Sequence, residues 1–301
     1  MNKDLFGNAI KDKMYLKDWF IVPPFSILNS SSQEWQQKKK KWYYIIGDKG
    51  QARFNKSRSN YKEGTKRYEF ANLTGNTTSL LDPVMCEIIL SWFTNEGFKT
   101  LDPFAGDTIF GFISAYKNRP FIGIELRKEQ ADFNQEQIDR FNLNGKYICD
   151  DSLNIDNHIK DSSMDFIFSC PPYADLEIYS DLENDLSNMG YEDFFNTIEQ
   201  ILQKTIKKLK ENRFAVIVMG EVRHKKTGVY LGIIPKIIQI MCDAGLHYYN
   251  EIILQTPIGN LHMRAGAYMS NARKIGKQHQ NILVFYKGNP KNINNHFEKM
   301  K

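Results

Sequence analysis

The pattern of apolar and polar positions becomes regular at Asp82. Asp82-Pro83 opens a predicted helix, VMCEIILSWF, with Asp as the cap and Pro in the first turn. Beyond it, apolar runs that predict strands (KTLDPF, PFIGIEL, YICD, MDFIFSCPP, FAVIVMGE) alternate with runs of helical spacing (FGFISAYKN, KEQADFNQEQIDRFNL, YEDFFNTIEQILQKTIKKLK, LGIIPKIIQIMCDAG). This alternation predicts an α/β fold with a mostly parallel sheet. Two final strands, YYNEIILQT and NILVFYKG, have no predicted helix between them and are expected to form an antiparallel edge pair.

The segment before this domain has a different composition. Residues 1–70 carry 15 Lys and Arg against 7 Asp and Glu, whereas the remaining 231 carry 25 against 28. Aromatic residues such as Trp19, Trp35 and Trp42 accompany Lys38 to Lys41, and disordered tails are poor in aromatics, so part of the segment is expected to fold or dock. The charge fits contact with a polyanion or a solvated tail equally well.

Other bulk features exclude several classes of protein. An apolar run of 18 residues does not occur, so no membrane span is expected, and the N-terminus lacks the apolar core of a secretory signal. The cysteines at 86, 149, 170 and 242 form no CxxC pair, which argues against a zinc site and a disulfide framework. A reducing cytosol is the expected location, with no metal.

Acidic residues stand at three successive predicted strand ends, where ligands bind in doubly wound sheets. A carboxylate at Glu125 could accept both hydroxyls of a ribose, and one at Asp150 or Asp151 an adenine amino hydrogen. Neither GxGxxG nor GxxxxGK followed by Ser or Thr is present, so a nucleoside without a bound phosphate fits better than a nucleotide. Each acid alone fits a helix cap, but three together favour a ligand. The candidate cofactor residues are Thr78, Asp102, Pro103, Phe104, Ala105, Gly106, Asp107, Thr108, Glu125, Leu126, Asp150, Asp151 and Ser152.

The fourth predicted strand ends in Ser169-Cys170-Pro171-Pro172-Tyr173. Here the chain resembles the DNA amino-methyltransferases, which methylate adenine N6 or cytosine N4 and carry Asp, Asn or Ser before Pro-Pro and an aromatic residue. DPFAGDT resembles their cofactor loop, and IGIEL the strand with their ribose-binding acid. More closely, the chain from about Asp18 to Pro290 resembles phage and prophage DNA modification methylases, through FIVPPFSILNSSSQEWQQKKKKW, SCPPYADLEIYSDLENDLSNM, GEVRHKKTGVY and RKIGKQHQNILVFYKG.

The resemblance implies a class I S-adenosylmethionine-dependent methyltransferase fold, Rossmann-like, at residues 73–290. Residues 1–72 would be a basic, DNA-contacting extension and residues 291–301 a tail. It implies site-specific methylation of a base flipped out of double-stranded DNA, in a restriction-modification setting, in the cytoplasm of a bacterial or phage-infected cell. Adenine N6 is preferred over cytosine N4.

Two acceptors, a side chain and the first proline's carbonyl, would orient the exocyclic amine toward the methyl donor. Tyr173 would stack on the flipped base. The candidate catalytic residues are therefore Ser169, Cys170, Pro171, Pro172 and Tyr173.

Cys170 departs from the family pattern, because a thiol is a weak acceptor. Ser169 could substitute, or the Pro171 carbonyl and Tyr173 could suffice. Cys170 could also attack a pyrimidine to allow C5 methylation, or be a small buried residue. Further alternatives are a nucleic-acid-binding relic without catalysis and a methyltransferase of RNA or of an already modified phage base.

Two charged stretches supply candidate substrate contacts. Residues 174–203 hold eight acids and no Lys or Arg. They are expected to form either a lid that places Asp175 and Glu177 near the base or a solvated loop. A basic run near the C-terminus would hold the DNA backbone, unless it is an ordinary charged surface. The candidate substrate residues are Asp175, Glu177, Arg223, Arg264, Arg273, Lys274 and Lys277.

Overall fold

A single mixed sheet organises the chain. The computed structural model describes residues 16, 20–47, 80–176 and 179–300. Within them the strands are β1 (Ile27–Asn29), β2 (Thr100–Asp102), β3 (Phe121–Glu125), β4 (Gly145–Cys149), β5 (Met164–Ser169), β6 (Leu209–Met219), β7 (Leu246–Gln255) and β8 (His279–Lys287). Their order across the sheet is β1-β7-β8-β6-β5-β2-β3-β4.

Helices cover both faces of this sheet. They are α1 (Gln33–Ile46), α2 (Pro83–Phe93), α3 (Ile109–Tyr116), α4 (Lys128–Arg140), α5 (Tyr191–Lys208), α6 (Ile233–Asp243) and α7 (His262–Ala272). Apolar residues of α1 to α4 share one core cluster with one face of the sheet, and those of α5 and α6 share a second cluster with the other face. Short 3₁₀ helices follow at Ser152–Asn157, Ala174–Leu176, Leu186–Asn188 and Pro290–Asn295. Among the described residues, no helix combines the length and hydropathy needed to cross a membrane.

The expected α/β fold with a mostly parallel sheet is confirmed. Strands β2 to β6 pair in parallel, while β8 runs antiparallel to both β6 and β7. The order is that of the expected Rossmann-like class I methyltransferase fold, with β2 between β3 and β5 and the chain crossing back from β4 to β5. The switch in strand order therefore lies between β2 and β5, whose carboxyl ends are adjacent.

The N-terminal segment adds elements that the periodicity did not predict. Strand β1 pairs in parallel with β7 and lies outside the expected antiparallel pair. In α1, Ser32 caps the first turn, and Trp35, Trp42 and Ile46 are buried in the same core as α2. The expectation that part of this segment folds is met within residues 27–46, and its aromatic residues are the reason.

Candidate active site

The switch in strand order between β2 and β5 brings the polar side chains of Asp102 and Ser169 together. Asp102 ends β2 and is 2% exposed, and its Oδ1 accepts hydrogen bonds from the Phe104 amide at 2.9 Å and the Ser169 hydroxyl at 3.0 Å. Burial raises the pKa of Asp102 to about 7, despite these two donors, and the nearby Asp107 and Glu125 add to the rise. Asp102 therefore titrates near neutral pH.

The carboxylate of Glu125 joins two loops at the end of β3. Its Oε2 accepts the Gly106 amide at 3.0 Å, and its Oε1 accepts the Arg127 amide at 3.0 Å. Gly106 has φ of +56°, a left-handed conformation in which a Cβ would add strain. Glu125 thus shapes the wall of the site through the backbone.

The acids that follow β4 point in different directions. Asp150 bonds to His158 Nε2 at 2.6 Å and to Asn154 at 2.9 Å, and its pair with His158 lowers the pKa of Asp150. Asp151 caps the next 3₁₀ helix through Leu153 and accepts from Asn184 at 2.8 Å. Only the second acid faces the site, so Asp151 is the candidate for an adenine contact.

The Pro-Pro turn after β5 is held by its tyrosine. Tyr173 Oη lies 3.7 Å from Cys170 Sγ and accepts a hydrogen bond from Gln280 Nε2 at 3.0 Å. The ring packs on Gly220, where a Cβ would come within 2.9 Å of Tyr173 Cε2. Burial raises the pKa of Tyr173 well above its usual value, so the phenol stays protonated at neutral pH.

One cavity of about 830 Å³ connects these strand ends, near the upper end of the range of roughly 300–1,000 Å³ for small-molecule sites. It brings together most of the cofactor and catalytic candidates and two of the basic ones. The candidates that line it are Asp102, Pro103, Phe104, Ala105, Gly106, Asp107, Glu125, Leu126, Asp151, Ser152, Cys170, Pro171, Pro172, Tyr173, Arg264 and Lys277.

Three candidates near the strand ends form hydrogen bonds within the protein and do not line the cavity. The Thr108 hydroxyl is buried and donates to Asn134 at 2.7 Å, and Asp150 is turned to His158. Ser169 is also buried, with its hydroxyl bonded to Asp102, so it does not replace Cys170 as an acceptor at the cavity wall.

Three basic candidates lie outside the cavity wall. Arg223 stacks on Tyr230 with its guanidinium 3.9 Å from the ring centre, and it donates to the Gly228 carbonyl at 3.0 Å. Lys274 lies against Gly228, and Arg273 ends α7 in a left-handed conformation. Thr78, Glu177 and the side chain of Asp175 lie outside the described residues.

Several lining residues were not predicted from sequence: Ser30, Lys39, Asp82, Arg127, Gln130, Tyr179, Asn184 and Gln280. Gln130 and Arg127 adjoin the predicted β3 end and could have been found by reading one helical turn further. Nothing local in the sequence points to Ser30, Lys39 or Gln280, which the tertiary fold brings to the cavity.

The residues present fit an adenosyl group. Phe104, Ile124 and Leu126 provide apolar wall for a ring, beside the carboxylates of Glu125 and Asp151. Within the described part of the chain, Gln130 Oε1 is buried without a hydrogen-bond partner. A ligand hydroxyl would supply that donor. In the same part of the chain, no cluster of His, Cys, Asp and Glu could hold a metal ion.

Comparison with known proteins gives one family. Residues 164–301 match the family model for DNA methylases of the N6-adenine/N4-cytosine group. No curated protein matches the chain significantly.

Three of the solved structures with a similar fold are methyltransferases by name. A TehB-like S-adenosylmethionine-dependent methyltransferase of Corynebacterium glutamicum is 16% identical over 74% of this chain and 95% of its own, with a TM-score of 0.43. An S-adenosylmethionine-dependent methyltransferase of Methanosarcina mazei is 12% identical over 66% and 96%, with a TM-score of 0.46. A methyltransferase of Pyrococcus furiosus is 16% identical over 84% and 98%, with a TM-score of 0.45.

Proposed function

We propose that the protein is an S-adenosylmethionine-dependent methyltransferase of the N6-adenine/N4-cytosine DNA methylase family, whose model matches residues 164–301, and that it methylates an exocyclic amino group of a base flipped out of double-stranded DNA. Adenine N6 is the favoured target and cytosine N4 the second. The observation that carries this proposal is the continuity of one cavity from the acids after β3 and β4 to the Pro-Pro turn after β5.

The adenosyl part of the cofactor would lie at the end of the cavity formed by Phe104, Glu125 and Asp151. When bound, S-adenosylmethionine supplies an electrophilic methyl group on its sulfonium. The turn from Cys170 to Tyr173 lies across the same cavity, next to the end of β2. A base that enters there would bring its exocyclic amine toward the methyl group of the cofactor, in the orientation that transfer requires.

The Pro-Pro turn would bind the amine of the target base. The Pro171 carbonyl accepts one N–H, and the Cys170 sulfur is a weaker second acceptor than the oxygen of the family pattern. Tyr173 is fixed by Gln280 and Gly220, so its ring is a rigid wall for the base. Because the amine is oriented and not deprotonated first, the proton leaves to water after transfer, and no strong base is required.

The DNA backbone would bind on the side of α7. Residues 252–297 and 222–242 contain no Asp or Glu, and none of the residues of α7 is buried. Arg264 and Lys277 line the cavity from this side, while Arg223 and Lys274 meet at Gly228. Stretches of chain that supply cations and no acids favour phosphate contacts.

Further parts of the proposal follow from the family. Residues 1–72 would add DNA contacts through their excess of Lys and Arg, and Asp175 and Glu177 would face the base. A phage-type modification enzyme of a restriction-modification system, in the cytoplasm, is the biological setting we propose.

Incorporation of tritium from labelled S-adenosylmethionine tests the proposal directly. Duplex DNA of mixed sequence is expected to take up label, and RNA is expected to take up none. Tyr173→Ala should abolish uptake, while Cys170→Ser should retain it, because a hydroxyl restores an oxygen acceptor of the family type. Uptake into RNA alone, or none into any nucleic acid, would reject the proposed substrate.

A further inference from the structure

The N-terminal helix α1 contributes a cation to the cavity wall. Lys39 lines the cavity, and its Nζ lies 2.9 Å from Asp82 Oδ2 at the start of α2. Trp35, one turn earlier on α1, donates from Nε1 to the same carboxylate at 3.1 Å. The side chain of Lys39 is 28% exposed, so the ammonium is partly withdrawn from solvent and borders the cavity.

Asp82 is fixed, whereas Lys39 has donors to spare. The carboxylate of Asp82 also caps α2 by accepting the amides of Val84 at 3.0 Å and Met85 at 3.2 Å. An ammonium carries three N–H donors. Among the described residues, Asp82 is the hydrogen-bond partner of Lys39 Nζ, which leaves two donors for a ligand.

The position of Lys39 in the cavity indicates which part of a ligand it meets. If the adenosyl part lies at Glu125 and Asp151, as the proposed function requires, the rest of the cofactor extends away from β3 and β4. The wall beside the loop after β2, where the Leu81 amide donates to Asp107 Oδ2 at 2.7 Å, includes Leu80, Leu81, Asp82 and Lys39. The other cations of the wall lie elsewhere, Arg127 just after β3 and Arg264 and Lys277 on the α7 side.

We propose that Lys39 binds the α-carboxylate of the methionine part of S-adenosylmethionine, with Asp82 holding the Lys39 ammonium in place. The ammonium of Lys39 carries the charge opposite to that of the carboxylate, and a charge-assisted hydrogen bond in a partly buried site is stronger than a neutral one. Helix α1 is thereby a cofactor-binding element, in addition to any role in DNA contact.

Calorimetric titration of the full chain without DNA tests this assignment. S-adenosylmethionine and its decarboxylated analogue differ in the carboxylate alone. In Lys39→Met the dissociation constant for S-adenosylmethionine should rise roughly tenfold or more, the loss expected for one charge-assisted hydrogen bond. The dissociation constant for the decarboxylated analogue should stay unchanged.

Lys38→Met is the matched control. Lys38 is the neighbouring residue of α1, pairs with Glu87 at 3.5 Å, and does not line the cavity, so its loss should leave both dissociation constants unchanged. Thermal melting checks that each variant folds. If Lys39→Met does not fold, Lys39→Gln, which can still donate to Asp82, should show the same selective loss.

Equal weakening of both ligands by Lys39 variants, or equal effects of the Lys38 and Lys39 variants, would overturn the assignment. Since no DNA is present, failure of the DNA methylation proposal would leave this result unaffected.

Discussion

Replacing Asp102 by Asn removes a buried negative charge and nearly keeps the shape of the side chain. An amide oxygen can still accept the hydrogen bonds from the Phe104 amide and the Ser169 hydroxyl. The charge has neighbours of the same sign in Asp107 and Glu125. We therefore expect Asp102→Asn to stabilise the protein at neutral and alkaline pH.

The magnitude of this stabilisation follows from the pKa of Asp102, which rises from 3.8 to about 7 on folding. Below pH 3.8 the carboxyl is protonated in both the folded and the unfolded state and does not change the free energy of unfolding. As the pH rises, the unfolded chain ionises first, so stability falls until the folded carboxyl ionises near pH 7. At about 1.4 kcal/mol per unit of pKa, the wild type loses ~4 kcal/mol over this window.

Urea unfolding of the wild type and Asp102→Asn at pH 5 and pH 8 measures this loss. The free-energy advantage of the variant should be larger at pH 8 by about 3 kcal/mol, because roughly two units of the window lie above pH 5. Asp132→Asn on the exposed surface of α4 is the control and should show no comparable pH-dependent gain. An advantage of Asp102→Asn that is the same at both pH values would refute the reasoning.

Other substitutions test other parts of the site. Gly220→Ala should lower methylation with little change in cofactor affinity, because the new Cβ would come within 2.9 Å of the Tyr173 ring; equal activity in a steady-state assay would contradict this. Gly111→Ala should lower the free energy of unfolding by roughly 1–3 kcal/mol, the cost of overpacking, because its Cβ would overlap the Tyr147 hydroxyl and the Phe121 ring; an unchanged urea midpoint would contradict it. Arg264→Ala should weaken DNA binding and reduce the salt slope by about 1, and an unchanged slope would argue against a phosphate contact.

Local periodicity explains why the central elements could be predicted. The predicted strand ends at Asp102, Glu125 and Ser169 coincide with the ends of β2, β3 and β5. Buried strands give uninterrupted apolar runs, and polar residues stop them where the chain leaves the sheet. The strand switch then brings these ends together whatever the details of the loops.

Elements without a repeating pattern escaped prediction. Strand β1 has three residues, too few for periodicity, and α7 has no buried residue, so it shows no apolar stripe. The direction in which a side chain points could also not be predicted from the sequence. Asp150 and Asp151 are adjacent and chemically identical, yet His158 holds the first away from the cavity while the second lines it.

Contacts between distant segments were the hardest part of the site to foresee. Lys39 reaches the cavity because Trp35 and Asp82 dock α1 on α2, and Gln280 reaches Tyr173 because β8 lies beside β6. The excess of positive charge in residues 1–70 is typical of a contact with a polyanion and does not indicate that Lys39 lines the cavity.

The central claim is that the cavity joins a cofactor to a flipped base at the Pro-Pro turn, with transfer to an exocyclic amine. Nucleoside mass spectrometry of DNA from cells that express the protein tests it most directly. We predict N6-methyladenine, or else N4-methylcytosine, in DNA from cells with the wild type and neither above background with Tyr173→Ala. Identical nucleoside profiles for the two, or new 5-methylcytosine alone, would contradict the account.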